Sequence, residues 1–423
     1  MLSTILSAFT VKDIRKKLAF TALVLALYRV GAHIPAPGVN VEAVKAVQEQ
    51  FGGGGVLQFL NLFSGGGLSR LTLFALGIMP YITASIILQL LTVVVPSLEK
   101  LQKEGEVGTQ RITQYTRYLT VGLAFGQSIG FVFLFRSFTA SAGQPIIDNF
   151  NAARVFLIVI SLTAGCVLIM WMGELITQRG IGNGISLMIF ASIVAGLPSG
   201  VQAWAQSSDP VFKVMMPFIC LGVIGAIVFV QEGQRRIPIQ YAKRVIGQRM
   251  TQGGQTYLPL RVNMAGVIPV IFAASIMAFP PTVGQLMNNN LGKDFASFWN
   301  FGGWPYIIGE SVFIVVFTYF YTAVTFNPVD QADNLRKYGG FIPGVRPGRP
   351  TAEFLDRVLA RLTFPGALYL AAVAAVPTIM ISYTSANFFF AGTSILIVVG
   401  VALDTMKQLE AQLMMRNYEG FLK

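Results

Sequence analysis

Charge arrives in this chain in clumps. Long apolar stretches alternate with short, mostly basic segments, about ten times along 423 residues. An apolar run of roughly 17 or more residues is long enough to cross the hydrocarbon core of a bilayer as a helix. A chain with ten such runs is expected to be an integral membrane protein. Composition agrees: 12% of residues are charged and 54% hydrophobic, where soluble domains carry about 25% charged residues.

The apolar runs cover 18–34, 71–95, 118–135, 155–172, 180–197, 214–230, 263–279, 306–326, 364–381 and 385–403. With the N-terminus on side one, the alternate segments of side one hold 24 Lys and Arg, and those of side two hold 6; Arg29 lies inside the first run. Positive charge is retained on the cytoplasmic side. The split predicts both termini in the cytoplasm and an even number of spans. No cleavable signal peptide is evident, and the first run reads as a first span. The net charge of +12 sits mostly in loops, so it reads as topology and as contact with anionic lipid or partners.

Three connections stand out. Residues 35–70 are glycine-rich (Gly52 to Gly55, Gly65 to Gly67) around a short apolar piece, 56–63, too short to span and suited to a re-entrant helix. The basic loops 231–262 and 327–363 are longer than a hairpin connection needs. Composition alone leaves them as partner-binding or merely solvated. Five spans precede residue 200 or so and five follow. An odd number per half gives the halves opposite orientations, the layout of inverted repeats with a pathway between them.

Catalytic chemistry is sparse. The one histidine, His33, cannot supply a His-pair metal site within this chain and has no triad motif around it; it reads as an interfacial side chain. Cys166 and Cys220 lie in apolar runs and read as free thiols. There is no phosphate loop of the G-x-x-x-x-G-K-[ST] type. Arg29 is near the outer end of its run and can snorkel; Glu174 and Glu310 lie near span ends. No catalytic residue, cofactor or metal is expected.

Several segments resemble one family. Leu62-Phe63-Ser64-Gly65-Gly66 is followed by Phe74-Ala75-Leu76-Gly77-Ile78-Met79-Pro80-Tyr81-Ile82, then by Gln114-Tyr115-Thr116-Arg117-Tyr118 and Arg179-Gly180-Ile181-Gly182-Asn183-Gly184-Ile185-Ser186. Gly233-Gln234-Arg235-Arg236, Tyr241-Ala242-Lys243-Arg244 and Asn263-Met264-Ala265-Gly266-Val267-Ile268-Pro269 continue the order. Ala332-Asp333-Asn334-Leu335 and Ile342-Pro343-Gly344-Val345-Arg346-Pro347-Gly348 complete it. In this order they resemble the SecY family, the protein-conducting channel of the bacterial Sec translocon, over nearly the whole chain.

The resemblance implies an all-α fold of ten transmembrane helices in two inverted five-helix halves, 1–200 and 201–423. It implies passage of unfolded chains driven by a bound motor or a ribosome, and lateral release of apolar segments into lipid. Ile78, Ile82, Ile185, Ile189, Ile271 and Ile397 carry over as the pore ring. Val56, Leu57, Phe59, Leu60 and Phe63 carry over as the plug (about 56–70), and Thr83 and Asn263 as polar contacts of the lateral gate. Arg235, Arg236, Lys243, Arg244 and Arg346 carry over as the partner-binding surface. The implied partners are SecE- and SecG-type small membrane subunits, a SecA-type motor ATPase, the ribosome, signal sequences, unfolded polypeptides and membrane lipids, in the bacterial cytoplasmic (inner) membrane.

Spacing gives the ring a partial check. At about 1.5 Å per residue, Ile82, Ile189, Ile271 and Ile397 each fall near mid-membrane, and residues four apart, such as Ile78 and Ile82, share a helix face. Residue by residue, these remain isoleucines like others in the spans, and a secondary transporter with inverted repeats is the rival class. A channel for unfolded chains calls for an apolar ring at mid-membrane. A coupled transporter calls for a polar site there.

Overall fold

The computed structural model describes residues 11–44, 61–137, 145–147, 150–206, 210–241, 245–246, 249–250, 255–277, 280, 290–299, 303–384 and 392–421. Helix α1 (Lys12–Gly31) comes first, and residues 64–78, mostly turns, lead into α2 (Met79–Val94). Val95 is extended, as a residue before proline must be, and Pro96 opens α3 (Pro96–Lys103) with its axis turned 99° from α2. Then come α4 (Glu106–Ser137) and α5 (Ala152–Arg179). The Asn151 side chain caps α5 by accepting from the Ala152 N–H at 2.9 Å, and Arg179 in its last turn faces the negative end of the dipole. Helices α6 (Gly184–Gln206) and α7 (Pro210–Glu232) follow, with Pro198 and Pro217 inside them.

The connection after α7 is folded. Strands β1 (Gln234–Tyr241), β2 (Val245–Ile246), β3 (Arg249–Met250) and β4 (Gln255–Arg261) form hairpins, β1 pairing with β4 from Gln234↔Arg261 to Gln240↔Gln255. After α8 (Ile268–Met277), α9 (Asn290–Phe298), α10 (Trp304–Thr325) and α11 (Pro328–Lys337), strand β5 (Gly340–Phe341) joins the other edge of β1. Two long helices, α12 (Arg349–Thr384) and α13 (Gly392–Phe421), close the chain.

The helical membrane fold expected from the apolar runs is present. Six described helices (α4, α5, α6, α7, α10, α12) are long and apolar enough to span, and the bent α2–α3 pair makes a seventh. The first, seventh and tenth runs became helices below that standard. The opening turns of α1 carry Lys12, Arg15, Lys16 and Lys17, α8 is short, and the second half of α13 is polar. The outer surface suits lipid: Phe218 and Phe229 of α7 are 73% and 81% exposed. A soluble domain would pay heavily for such patches in solubility.

The two loops expected between spans carry the sheet and α11 instead of open chain. The reason is legible in period two: along β1, Ile237 and Ile239 are buried while Arg236 and Pro238 are exposed. With Leu260, Phe326, Ile342 and Leu355, Ile237 of that face forms a small core of its own against α12.

Candidate functional site

The largest core cluster lies where α2, α6, α8 and α13 meet. Helix α8 packs on α2 and α13, and α13 packs on α6. Ile78, Ile82, Ile189, Ile271 and Ile397 all belong to this cluster, each at most 5% exposed, and the partly buried Ile185 packs against it. Thr83, Ser192 and Ser275 are buried on the same helices beside it, each with its hydroxyl on the carbonyl one turn back.

A cavity of about 450 Å³ adjoins this cluster, called the waist here, at Val267 and Ile271. Its lining joins apolar Val267, Ile268, Ile271 and Val401 to polar and charged Asn183, Gln231, Arg261, Asp404 and Lys407. Two ion pairs order its charged residues: Arg261 with Asp404 at 3.9 Å, and Lys407 with Glu232 at 3.0 Å. Helix α6 supplies an axial scale. Asn183 stands just before it at the vestibule, Ile185 and Ile189 follow at the waist, and Ser192 comes next, so about 13 Å of axis separates Asn183 from Ser192. On α13 the order runs the other way along the chain, from Ile397 to Asp404 and Lys407.

At Ser192 the waist meets the segment 61–77. The Ser192 and Tyr28 hydroxyls are hydrogen-bonded at 2.6 Å, and Tyr28 stacks on Phe74 with ring centroids 5.8 Å apart. Gly31 gives Phe74 its place, since any Cβ there would collide with the Phe74 ring. Phe63 is buried at 1% in the waist cluster. Val56, Leu57, Phe59 and Leu60 lie outside the described residues.

The polar pair read from sequence is not joined. Thr83 Oγ1 donates to the Met79 carbonyl one turn back in α2 at 3.0 Å. Asn263 precedes α8, and its Nδ2 donates to the Gly266 carbonyl at 3.0 Å, leaving a buried Oδ1 with no partner. Arg235, Arg236 and Arg346 are exposed on the sheet side; Lys243 and Arg244 lie outside the described residues.

Three ionisable residues behave differently from their place in the sequence. Arg29 does not reach outward: its Nη1 donates to the Gly65 carbonyl at 2.9 Å. Glu174 of α5 is gripped through both oxygens by Arg117 of α4 at 2.9 and 2.6 Å. Glu310 of α10 is 3% exposed, with Oε1 unpartnered. Sequence position marked all three as near span ends, but nothing local shows which way a side chain turns. Among the described residues no group of three His, Cys, Asp or Glu could hold a metal.

An aliphatic constriction blocks ions by dewetting without a charged gate, and nothing in it reads a particular sequence.

Comparison with known proteins bears on the same region. A family model described as SecY matches residues 72–406. A protein of Streptomyces galbus named protein translocase subunit SecY is 51% identical over 439 aligned residues, covering all of both chains. A solved structure described as that of a protein conducting channel superposes with a TM-score of 0.63 at 19% identity, over 93% of this chain and 91% of that one. Sec61 in a canine ribosome-channel complex from the endoplasmic reticulum gives 0.59 at 18% identity, again over 93% and 91%. At these identities the structural likeness speaks for the fold alone.

Proposed function

The chain belongs to the SecY family and is a protein translocase subunit of a multi-pass membrane type, and on that footing we propose that unfolded secretory polypeptides pass through its isoleucine waist. The observation that carries this reading is the convergence of Ile78, Ile82, Ile189, Ile271 and Ile397, with Ile185 against them, beneath a polar vestibule. Short aliphatic side chains close around a threaded chain of any sequence, and they dewet when it leaves. The driving energy comes from a partner.

The finer architecture belongs to the same proposal. Ten crossings form two inverted halves, 1–200 and 201–423, and residues about 56–70 are the plug that fills the pore at rest. The uneven distribution of Lys and Arg supports both termini in the cytoplasm of a bacterial inner membrane. Thr83 and Asn263 belong to a lateral gate through which apolar segments reach lipid. A polar contact between membrane helices contributes only about 0.6 kcal/mol on average, so an arriving apolar helix competes for that seam.

SecE- and SecG-type small subunits and a SecA-type motor follow from family membership. Ribosome docking is supported by the fold likeness to Sec61 of the canine ribosome-channel complex. Arg235, Arg236 and Arg346, with Lys243 and Arg244 of the same basic loops, are the docking surface. Arginine forks suit both carboxylates on a motor and phosphates on ribosomal RNA.

The test is electrical. Replacing Ile82 and Ile189 together by glycine removes branched side chains from two walls of the waist, and the resting channel in a planar bilayer then conducts ions. Conductance as low as that of the unaltered chain would remove the waist from its assigned role.

A further inference from the structure

A lone arginine in the last turn of a membrane helix ordinarily snorkels to the headgroups. Arg29 turns inward instead, to a carbonyl with unusual surroundings. Residues 61–63 are helical, and the chain leaves that turn by a double reversal. The Gly65 N–H donates to the Leu62 carbonyl at 3.1 Å and the Gly66 N–H to the Asn61 carbonyl at 2.8 Å, with φ of +64° at Gly65 and +85° at Gly66. This is the glycine cap that folds back the last carbonyls of a helix. The guanidinium takes the carbonyl of Gly65, the residue at which the chain reverses, and so ties that reversal to α1.

The turn is also stapled within itself and wedged from outside. Asn61 Oδ1 accepts from the Ser69 N–H and Ser64 Oγ from the Leu68 N–H, both at 2.9 Å. A Cβ at Gly65 would lie 2.8 Å from Arg29 Nη1, 3.2 Å from the Tyr28 hydroxyl and 3.5 Å from the Cα of Ser192. Ser192 stands one turn beyond Ile189 on α6. The 61–66 turn is thus a rigid piece seated between α1 and the helix that carries two waist isoleucines, and Arg29 is its charged tie to α1.

The geometry points to Arg29 as the catch of the seal: a positioning residue whose guanidinium grips the Gly65 carbonyl, holds the 61–66 turn beside the waist at rest, and lets go when a polypeptide enters. The assignment rests on the reading of residues 56–70 as the plug. A hydrogen bond from a charged donor, set against the scale of tenfold per 1.4 kcal/mol, corresponds to about a tenfold to hundredfold bias toward the closed arrangement.

The experiment compares full-length channels in planar bilayers, with preprotein transport into proteoliposomes measured in parallel. Arg29→Met keeps side-chain length and loses the donor; Arg29→Lys keeps a cationic donor. Resting conductance is expected to rise at least about tenfold in Arg29→Met, to fall back most of the way in Arg29→Lys, and transport to continue in both. Gly65→Ala sets a methyl against the guanidinium at a positive φ. It is expected to leak likewise and to add little to Arg29→Met, since both break one contact. A channel lacking residues 56–66 is the reference for an absent plug. If that deletion leaks while Arg29→Met stays tight, the catch is refuted and the plug reading stands. If the deletion itself stays tight, the plug reading falls and the catch with it. If Arg29→Lys leaks as much as Arg29→Met and neither transports protein, Arg29 serves folding and the inference is overturned.

Discussion

Truncating Ile397 to alanine separates a waist from an ordinary core. Ile397 is 0% exposed, in α13, the helix that packs against both α6 and α8. In a sealed protein interior the loss of an isoleucine side chain costs about 2–5 kcal/mol, because the void stays empty. Along a conducting path the void hydrates instead, so the closed arrangement loses its dewetted barrier while the fold loses less than the full cavity term. At about 1.4 kcal/mol per tenfold, even 2 kcal/mol removed from the closed arrangement raises the conducting population about 25-fold. The volume-conserving Ile397→Leu, costing less than about 1.5 kcal/mol, is expected to stay near the unaltered channel. Single-channel recording in planar bilayers reads the first quantity, and thermal unfolding in detergent reads the second. An Ile397→Ala channel that melts earlier yet conducts no more than the parent would make Ile397 plain core packing, and the account of the waist would lose one wall.

Two further outcomes follow from named contacts. Arg117→Met leaves the largely buried Glu174 carboxylate unpaired, a situation that costs about 3–5 kcal/mol for fully buried pairs and less here because Arg117 is 43% exposed; adding Glu174→Gln should recover most of the lost thermal stability, and a double variant as unstable as the single would refute the pairing. Arg346→Glu reverses an exposed charge on the sheet side, so membrane insertion should be normal and motor-driven secretion reduced; normal secretion would take Arg346 out of the docking surface.

The period-two signal in residues 236–239 was present in the sequence, but it sits in a loop that charge counting treats only as basic connection. Buried Ile237 acquires meaning once Leu355 and Phe326 supply a surface to cover it. Asn263 shows the opposite case. Its polarity beside an apolar run was obvious, yet whether it bonds across to Thr83 or back to Gly266 depends on how α2 and α8 are spaced, and in this structure it bonds back. Glu310 likewise read as an end-of-span acid, yet it is 3% exposed on α10, a helix that packs on both α8 and α12.

What the sequence determined by itself was set by the solvent: a bilayer demands long uncharged helical runs and holds basic residues on one side, and both demands are met locally, residue after residue. What only the tertiary structure decided is which of many isoleucines share a cluster, and that Arg29 turns toward Gly65 instead of the headgroups. Those choices are made by contacts between segments far apart along the chain, where a rotation of one helix exchanges the face toward lipid for the face toward the waist without altering its hydropathy.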